Sequence, residues 1–543
     1  MRLTHALQVG ICALSMVAGP IAQSPAPSGQ GPPAFRTATR LVQVNVVAHD
    51  RDGRVVADLA RGDFKLYEDG KEQPIELFSI ESDRAAAPPA PSAATNTFSN
   101  RLEGRAGAAV TVILFDRLNT RFEDQAQARD QMVKFLGQIQ RDDRVALYVL
   151  ESATVRVLHD FTSDATSLLR ALSRYRGQTS GELAASEEQV PDSARTGDAA
   201  EDAAMEAFLK AGTEMVAAEF TRRRVESTTS ALEAIANHLA GVRGRKNLIW
   251  VSSGFPLVIV DERGNQQTAS RDVSSATRAV NNANIAIYPV DARGLVGAFS
   301  SPLGARTPAF TTLTTVRANT DAMQTLADAT GGRAFFNTND IGGAVRRAVD
   351  DGRLTYVLGY YPSHGRWDGR FREIKVKVSR PGVDIRHRKG YLALPAQRNA
   401  ASRKDALLDV LRSPLDATSI GLTAHIARIE TQGLASDEVN VAIHVDPAAV
   451  TLEKVGDFWE GAFDLVIAQS ASDGTFVKNL DTTVSLRLPA DTRDQMIKEG
   501  LTVNRKIALR GGASRCQIVV RDVATGAIGS VIIPSDKLRG AAR

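Results

Sequence analysis

Val42, Val44 and Val46 alternate with Gln43 and Asn45, the period-two pattern of a half-buried strand. The chain continues through a turn signal at Asp52-Gly53 to Asp63–Gly70 and a second alternating stretch, Ile75 to Ile80. At about 45 residues, this β unit (35–83) is too small to stand alone and needs partner strands. From residue 107 the pattern changes. Ala109–Phe115 is a continuous apolar run, as expected of a strand buried on both faces. An amphipathic helix follows over Glu123–Ile139, then strands over Val145–Leu150 and Val155–Leu158 and a helix over Ala165–Tyr175. Helical sequence covers Ala204–Ala240. One straight helix there would be some 55 Å long, so two helices meeting near Gly212–Arg224 are expected. Strands over Asn247–Val251, Ile285–Val290 and Arg333–Phe336 alternate with helices over Asp272–Asn282, Ala322–Ala329 and Ile341–Asp350. This alternation predicts a Rossmann-like, doubly wound parallel sheet across 107–351, covered on both faces. The low hydrophobicity of about 182–203 reads as a mobile insertion in it.

Residues 354–394 alternate again at Tyr356–Tyr361 and Ile374–Val378 and end at Gly390-Tyr391. They are expected to complete the N-terminal β unit, which places the α/β domain as an insertion. The stretch 406–543 holds about seven short alternating strands, among them Val439–Val445, Phe463–Ile467 and Val484–Leu488, and predicts an immunoglobulin-like β-sandwich. The fold class is therefore multidomain α/β plus all-β. Two Pro-rich stretches, 23–34 and 84–106, read as linkers.

Arg2 and His5 precede a mostly apolar run, Ala6–Ala22, followed by small and polar residues. That order is the pattern of an export signal over 1–22, cleaved near Ala22. At about 17 residues the run is also just long enough for a retained anchor, against which Gly10, Gly19 and Pro20 weigh. No other segment is apolar enough to cross a membrane, so the mature chain carries no expected span and belongs in the periplasm, the outer envelope or the medium.

Composition narrows the function. The 543 residues carry 66 Lys and Arg against 62 Asp and Glu, a net +4 with no basic block, which argues against nucleic acid as a partner. Two cysteines, Cys12 and Cys516, exclude a disulfide framework or a Cys-based zinc cluster. In a doubly wound sheet ligands bind beyond the carboxyl ends of the strands. Those positions hold Asp116-Arg117-Leu118-Asn119-Thr120, Ser252-Ser253-Gly254 and Asp291-Ala292-Arg293, with Gly177–Gly181 following the 165–175 helix.

With these loops on view, 107–351 resembles a von Willebrand factor type A domain. The longer chain is similar to the exported von Willebrand factor A-related proteins described from acidobacteria. That resemblance rests on Leu66-Tyr67-Glu68-Asp69-Gly70-Lys71, Gly244–Trp250, Tyr288–Gly294, Tyr356–Pro362 and Lys389-Gly390-Tyr391. It implies a metal-ion-dependent adhesion site, in which a hard cation is held by a few oxygens with one position left for a partner's carboxylate. Carried over by position, Asp116 matches the leading Asp, Thr120 the second hydroxyl, Thr179 the second-loop Thr, and Ser253 stands where the third-loop Asp belongs. Leu118 replaces the first Ser, so the site is degenerate. Asn119 and Asp291 are possible rim residues. Two readings follow: Asp116 is hydrogen-bonded within its loop and no metal binds, or a weak Mg2+ site persists. No cofactor is otherwise implied.

Catalytic motifs are wanting. Ser252-Ser253-Gly254 follows a strand, but Trp250 and Val251 stand where a nucleophile elbow needs glycine. The eight histidines contain no His-Glu-x-x-His, and the basic run Arg386–Lys389 reads as a solvated face. The chain thus reads as an exported, non-enzymatic module of adhesion or scaffold type that binds a protein partner on its α/β domain. An envelope enzyme or enzyme subunit is the alternative.

Overall fold

The computed structural model describes residues 41–82, 96–101, 109–140, 142–152, 154–187, 199–242, 244–255, 258–260, 266–268, 270–294, 309–364, 367–368, 370–393, 400–431 and 434–542. The expected signal (1–22) and first linker (23–34) lie outside these residues, as do 84–95, 102–108 and 188–198. The valine alternation builds β1 (Val42–His49). It is followed by β2 (Phe64–Glu68), β3 (Lys71–Gln73) and β4 (Leu77–Ser82). Asp69 and Gly70, both at positive φ (46° and 79°), form the two-residue turn that sets Glu68 opposite Lys71. Within the stretch expected to be a linker, β5 (Thr97–Ser99) forms instead.

The α/β domain runs through β6 (Val110–Asp116), α1 (Phe122–Leu136), β7 (Arg144–Glu151), β8 (Thr154–Thr162), α2 (Ala165–Arg174), α3 (Gly181–Ser186) and α4 (Ala199–Leu239). It continues with β9 (Lys246–Ser252), a hairpin of β10 (Val258–Val260) and β11 (Gln266–Thr268), α5 (Ser270–Asn282), β12 (Ile285–Asp291), α6 (Ala309–Thr330) and α7 (Ile341–Asp350). The sheet order is β12-β9-β6-β7-β8. β12, β9, β6 and β7 run parallel and β8 antiparallel. The link from β7 to β8 is too short for a crossover, so the edge strand can only turn back. The strand expected at 333–336 is reduced to one parallel bridge, Phe335 to Val290. One sheet face packs Ile113, Phe115 and Val149 against Met132, Phe135 and Val345 of α1 and α7. The other packs Val112, Leu114 and Trp250 against Leu232, Ile235 and Leu239 of α4.

α4 corrects an expectation. It is one helix of 41 residues, not two, and spans about 60 Å. Gly212 costs a helix only about 1 kcal/mol relative to Ala, and its Cβ position faces open space. Ion pairs Lys210–Glu214, Arg222–Glu219 and Arg222–Glu226 run through the expected break.

The chain then returns through β13 (Leu354–Tyr360), β14 (Phe371–Val378), β15 (Asp384–Arg386) and β16 (Gly390–Leu392). These strands join the N-terminal ones in two sheets, ordered β15-β1-β13-β4 and β16-β14-β2-β3. Between them lies a core of Val44, Val46, Phe64, Leu66, Tyr356, Leu358 and Val376. The 386–389 run is paired rather than merely solvated: Arg386 meets Asp351, Lys389 meets Asp328, and Arg388 donates to the Gln43 carbonyl.

The C-terminal part comprises α8 (Ala400–Arg412), β17 (Leu422–Thr431), β18 (Leu434–Val445), β19 (Glu453–Val455), β20 (Phe458–Ala471) and β21 (Phe476–Pro489). It ends with α9 (Ala490–Glu499), β22 (Leu501–Ala508), β23 (Ala513–Asp522), β24 (Ile528–Pro534) and α10 (Ser535–Ala542). Two antiparallel sheets, β22-β18-β17-β5 and β19-β20-β23-β24 with β21 on β20, share one apolar core. β5 is thus an edge strand of the first sheet. Asn100 anchors it by donating to the Ala417 and Ile420 carbonyls and accepting from the Leu422 N–H. Among the described residues no helix is long and apolar enough to cross a membrane.

Candidate functional site

The carboxyl ends of β6, β9 and β12 form one rim of the α/β domain. Asp116 closes β6 and is only 2% exposed. A buried carboxylate must be matched by donors, and four are present. Oδ1 accepts from the Asn119 backbone N–H at 2.9 Å. Oδ2 accepts from Asn119 Nδ2 at 2.8 Å, Trp250 Nε1 at 2.9 Å and Ser252 Oγ at 2.9 Å. Burial pushes the Asp116 carboxyl above the ordinary carboxylate range, and these hydrogen bonds oppose the shift.

Asn119 is the hub of the loop. Its Nδ2 also donates to Thr228 Oγ1, and its Oδ1 accepts from Arg224 Nε at 3.0 Å. Arg224, 7% exposed, donates onward to Ser186 Oγ at 2.7 Å. Burial lowers the Arg224 pKa, and the nearby Asp116 charge partly restores it. A cation therefore does sit behind the leading aspartate, and it is a guanidinium from α4.

The other residues named from the sequence fall into separate settings. Thr120 is buried, and its Oγ1 accepts from the Ser253 N–H at 3.2 Å. Ser253 Oγ donates to Asp124 Oδ2 at 2.8 Å, away from Asp116. Thr179 is exposed. The tie between its loop and the first loop is made instead by Gln125, whose Nε2 donates to the carbonyls of Thr120 and Gln178. Asp291 is 3% exposed, and Arg293 occupies both its oxygens through Nε, a terminal nitrogen and the backbone N–H.

This arrangement does not fit a hard cation. Mg2+ needs near-octahedral oxygens and retains waters. Here the one rim carboxylate positioned for it is sealed from water and engaged by four donors, one of them an indole N–H that cannot turn into an acceptor. Thr120 and Ser253 are engaged with each other and with Asp124, and Thr179 is exposed. Among the described residues, no three His, Cys, Asp or Glu side chains are grouped so as to hold a metal.

Three participants were missed from the sequence. In the sequence Trp250 and Ser252 stand out only as departures from a nucleophile motif, yet both donate to Asp116. Ser252 is fully buried, and its hydroxyl is turned to that carboxylate. Arg224 looked like one of three consecutive arginines at a helix junction. The usable signal was its phase, because Arg224, Thr228, Leu232 and Ile235 lie on one buried stripe.

Beside this closed network a groove of about 570 Å³ opens between α3 and α4. Its wall includes Leu118, Glu182, Phe220, Arg223, Arg224 and Ser227. Leu118, the residue in place of a ligating serine, is 1% exposed and packs into the α4 side of the core.

No protein-family model matches the chain, and no curated protein matches it. Among solved structures it is similar to the SpRpn10 VWA domain, with 12% identity and a TM-score of 0.20 over 44% of this chain and 95% of that one. It is also similar to the TFIIH p34 N-terminal domain, with 13% identity and a TM-score of 0.20 over 44% of this chain and 96% of that one. At that TM-score neither likeness carries an argument about function.

Proposed function

We propose that the chain is an exported, non-enzymatic protein-binding module of adhesion or scaffold type. In this reading the strand-end rim of a von Willebrand factor A-like domain docks a protein partner without a metal ion. The observation that carries it is the groove between α3 and α4, backed by a fully satisfied buried network. A rigid wall loses little freedom when a partner seats on it, which favours affinity. Phe220 offers apolar contact, and Arg223 offers a cation beside Glu182 and Glu226. That lining suits a partner segment presenting an apolar side chain next to a carboxylate. Export rests on the Arg2–Ala22 pattern. The C-terminal pair of sheets is proposed to be an immunoglobulin-like spacer. The buried setting of Ser252 speaks for a structural rather than a nucleophilic hydroxyl.

The test uses the full mature chain as bait in a bacterial envelope extract, with and without chelator, beside Phe220→Ala and Arg223→Glu. The expected result is a partner retained in chelator by the unaltered chain and lost from both variants at unchanged melting temperature. Capture that vanishes with chelator, or that both variants keep, overturns the reading.

A further inference from the structure

Several motif residues that the rim does not use come together in the unit built by β1–β4 and β13–β16. Glu68 ends β2, Tyr360 ends β13, Tyr391 lies in β16, and His364 sits in the turn after β13. Tyr360 Oη lies 2.5 Å and Tyr391 Oη 3.0 Å from Glu68 Oε2. His364 Nε2 stands 3.1 Å from Glu68 Oε1 and 3.1 Å from Tyr391 Oη. Four side chains distant in sequence thus turn their polar atoms to one point. Glu68, Tyr360 and Tyr391 are buried, whereas the His364 side chain is 19% exposed and gives the cluster its opening to solvent.

Such spacings suit a metal shell as well as a hydrogen-bond network. Neighbouring ligands of an octahedral ion, each about 2.1 Å from it, sit about 3 Å from one another. The donor types select the ion. Two phenols and a carboxylate supply three oxygens that can be anionic, and an imidazole supplies a nitrogen suited to iron. Three negative charges match a trivalent cation, so the filled site is neutral, as a buried one should be. A phenol gives up its proton near neutral pH only to a strongly charged ion, as a thiol does to a bound metal. Fe3+ meets that demand and Mg2+ or Mn2+ does not. The contrast with Asp116 is chemical. There an indole N–H can never become a ligand, while here each hydroxyl becomes a ligand oxygen once its proton has gone. The Arg388 guanidinium, 5.9 Å from the centre of the Tyr391 ring, favours the phenolate.

We propose that Glu68, Tyr360, Tyr391 and His364 form a ferric-ion site. Binding releases the two phenol protons to solvent and moves no electron. Four protein donors leave two octahedral positions to water. The site shares no residue with the groove between α3 and α4, so either reading can fail without the other.

The test is titration of the full chain with ferric citrate, followed by visible absorption, in which phenolate bound to Fe3+ gives a charge-transfer band. The expected result is a band that saturates at one iron per chain. It should be much reduced in Tyr391→Phe and absent from Tyr360→Phe/Tyr391→Phe, each variant shown to be folded by circular dichroism. Tyr361→Phe, at the exposed neighbour, should keep it. No band with the unaltered chain, or a band that survives the double variant, overturns the proposal. Should the double variant fail to fold, His364→Gln decides, since its turn is partly exposed. It should weaken iron binding about tenfold or more, and unchanged affinity overturns the proposal.

Discussion

At the scale of single residues, Asp116 governs the rim. From sequence two readings stood open, Asp116 hydrogen-bonded within its loop or ligating a weak Mg2+. The structure shows the hydrogen bonds, with its two oxygens accepting from four donors. Asp116→Ala should cost about 3 kcal/mol or more in urea unfolding, since a buried donor left unsatisfied costs about 1–3 kcal/mol. Ser252→Ala, which removes one donor and leaves three, should cost about 1 kcal/mol. If Asp116→Ala is the milder of the two, the closed network is wrong. Cys516 is a quieter case. Burial pushes its thiol up to about 12, and it should resist alkylation until the chain unfolds.

At the scale of elements, what was legible followed period and burial. Runs such as Ala109–Phe115 and Asn247–Val251 are apolar but for Thr111 and Asn247 and read as strands covered on both faces, and β6 and β9 lie within a residue or two of them. Signals of three residues were not legible. β5 exists because Thr97–Ser99 completes the edge of a distant sheet, which no local pattern announces. α4 was misjudged because one glycine and a length argument were set against an alanine-rich stretch with its own ion pairs. At the site, Asp116 and Asn119 were legible as strand-end residues. Trp250 and Arg224 were not, because their role depends on side chains from β9 and α4 meeting over one loop. The motif residues Glu68, Tyr360 and Tyr391, scattered along the chain, meet in the core of the two-sheet unit. There both tyrosine hydroxyls donate to Glu68 Oε2, and His364 Nε2 lies 3.1 Å from Oε1. Glu68→Ala should therefore destabilise this unit by about 2–3 kcal/mol, and Asn100→Ala should cost a similar amount at the β5 edge. Hydrogen exchange should localise each loss to its own sheets. A uniform loss across the chain would contradict the assignment.

At the scale of the whole molecule, the C-terminal sheets are joined to the end of α4. The Thr418 N–H donates to the Asn237 carbonyl, Thr418 Oγ1 to the His238 carbonyl, and His238 Nδ1 meets the Asp416 carbonyl oxygen at 2.7 Å. Asp416 is half-buried at this joint. Its side chain accepts from the Ile532 N–H, only Arg515 offsets its charge, and its carboxyl is pushed up to about 7. In the unfolded chain it would titrate near 3.8. Between those values the folded state holds a proton that the unfolded state has released, so this group lowers stability as pH rises and has no effect below the lower value. Asp416→Asn should match the parent near pH 4 and exceed it by about 2–4 kcal/mol near pH 8. A variant less stable than the parent near pH 8 would show that the charged form is the one the joint wants. At the rim, Asp116 is held from within by Asn119, which Arg224 engages in turn, and on the proposed reading a partner docks there without a cation. Isothermal titration of the full mature chain with Mg2+ and Mn2+ at millimolar concentration tests this most directly. The account predicts no saturable heat with either ion. One-to-one binding that disappears in Asp116→Asn would contradict it.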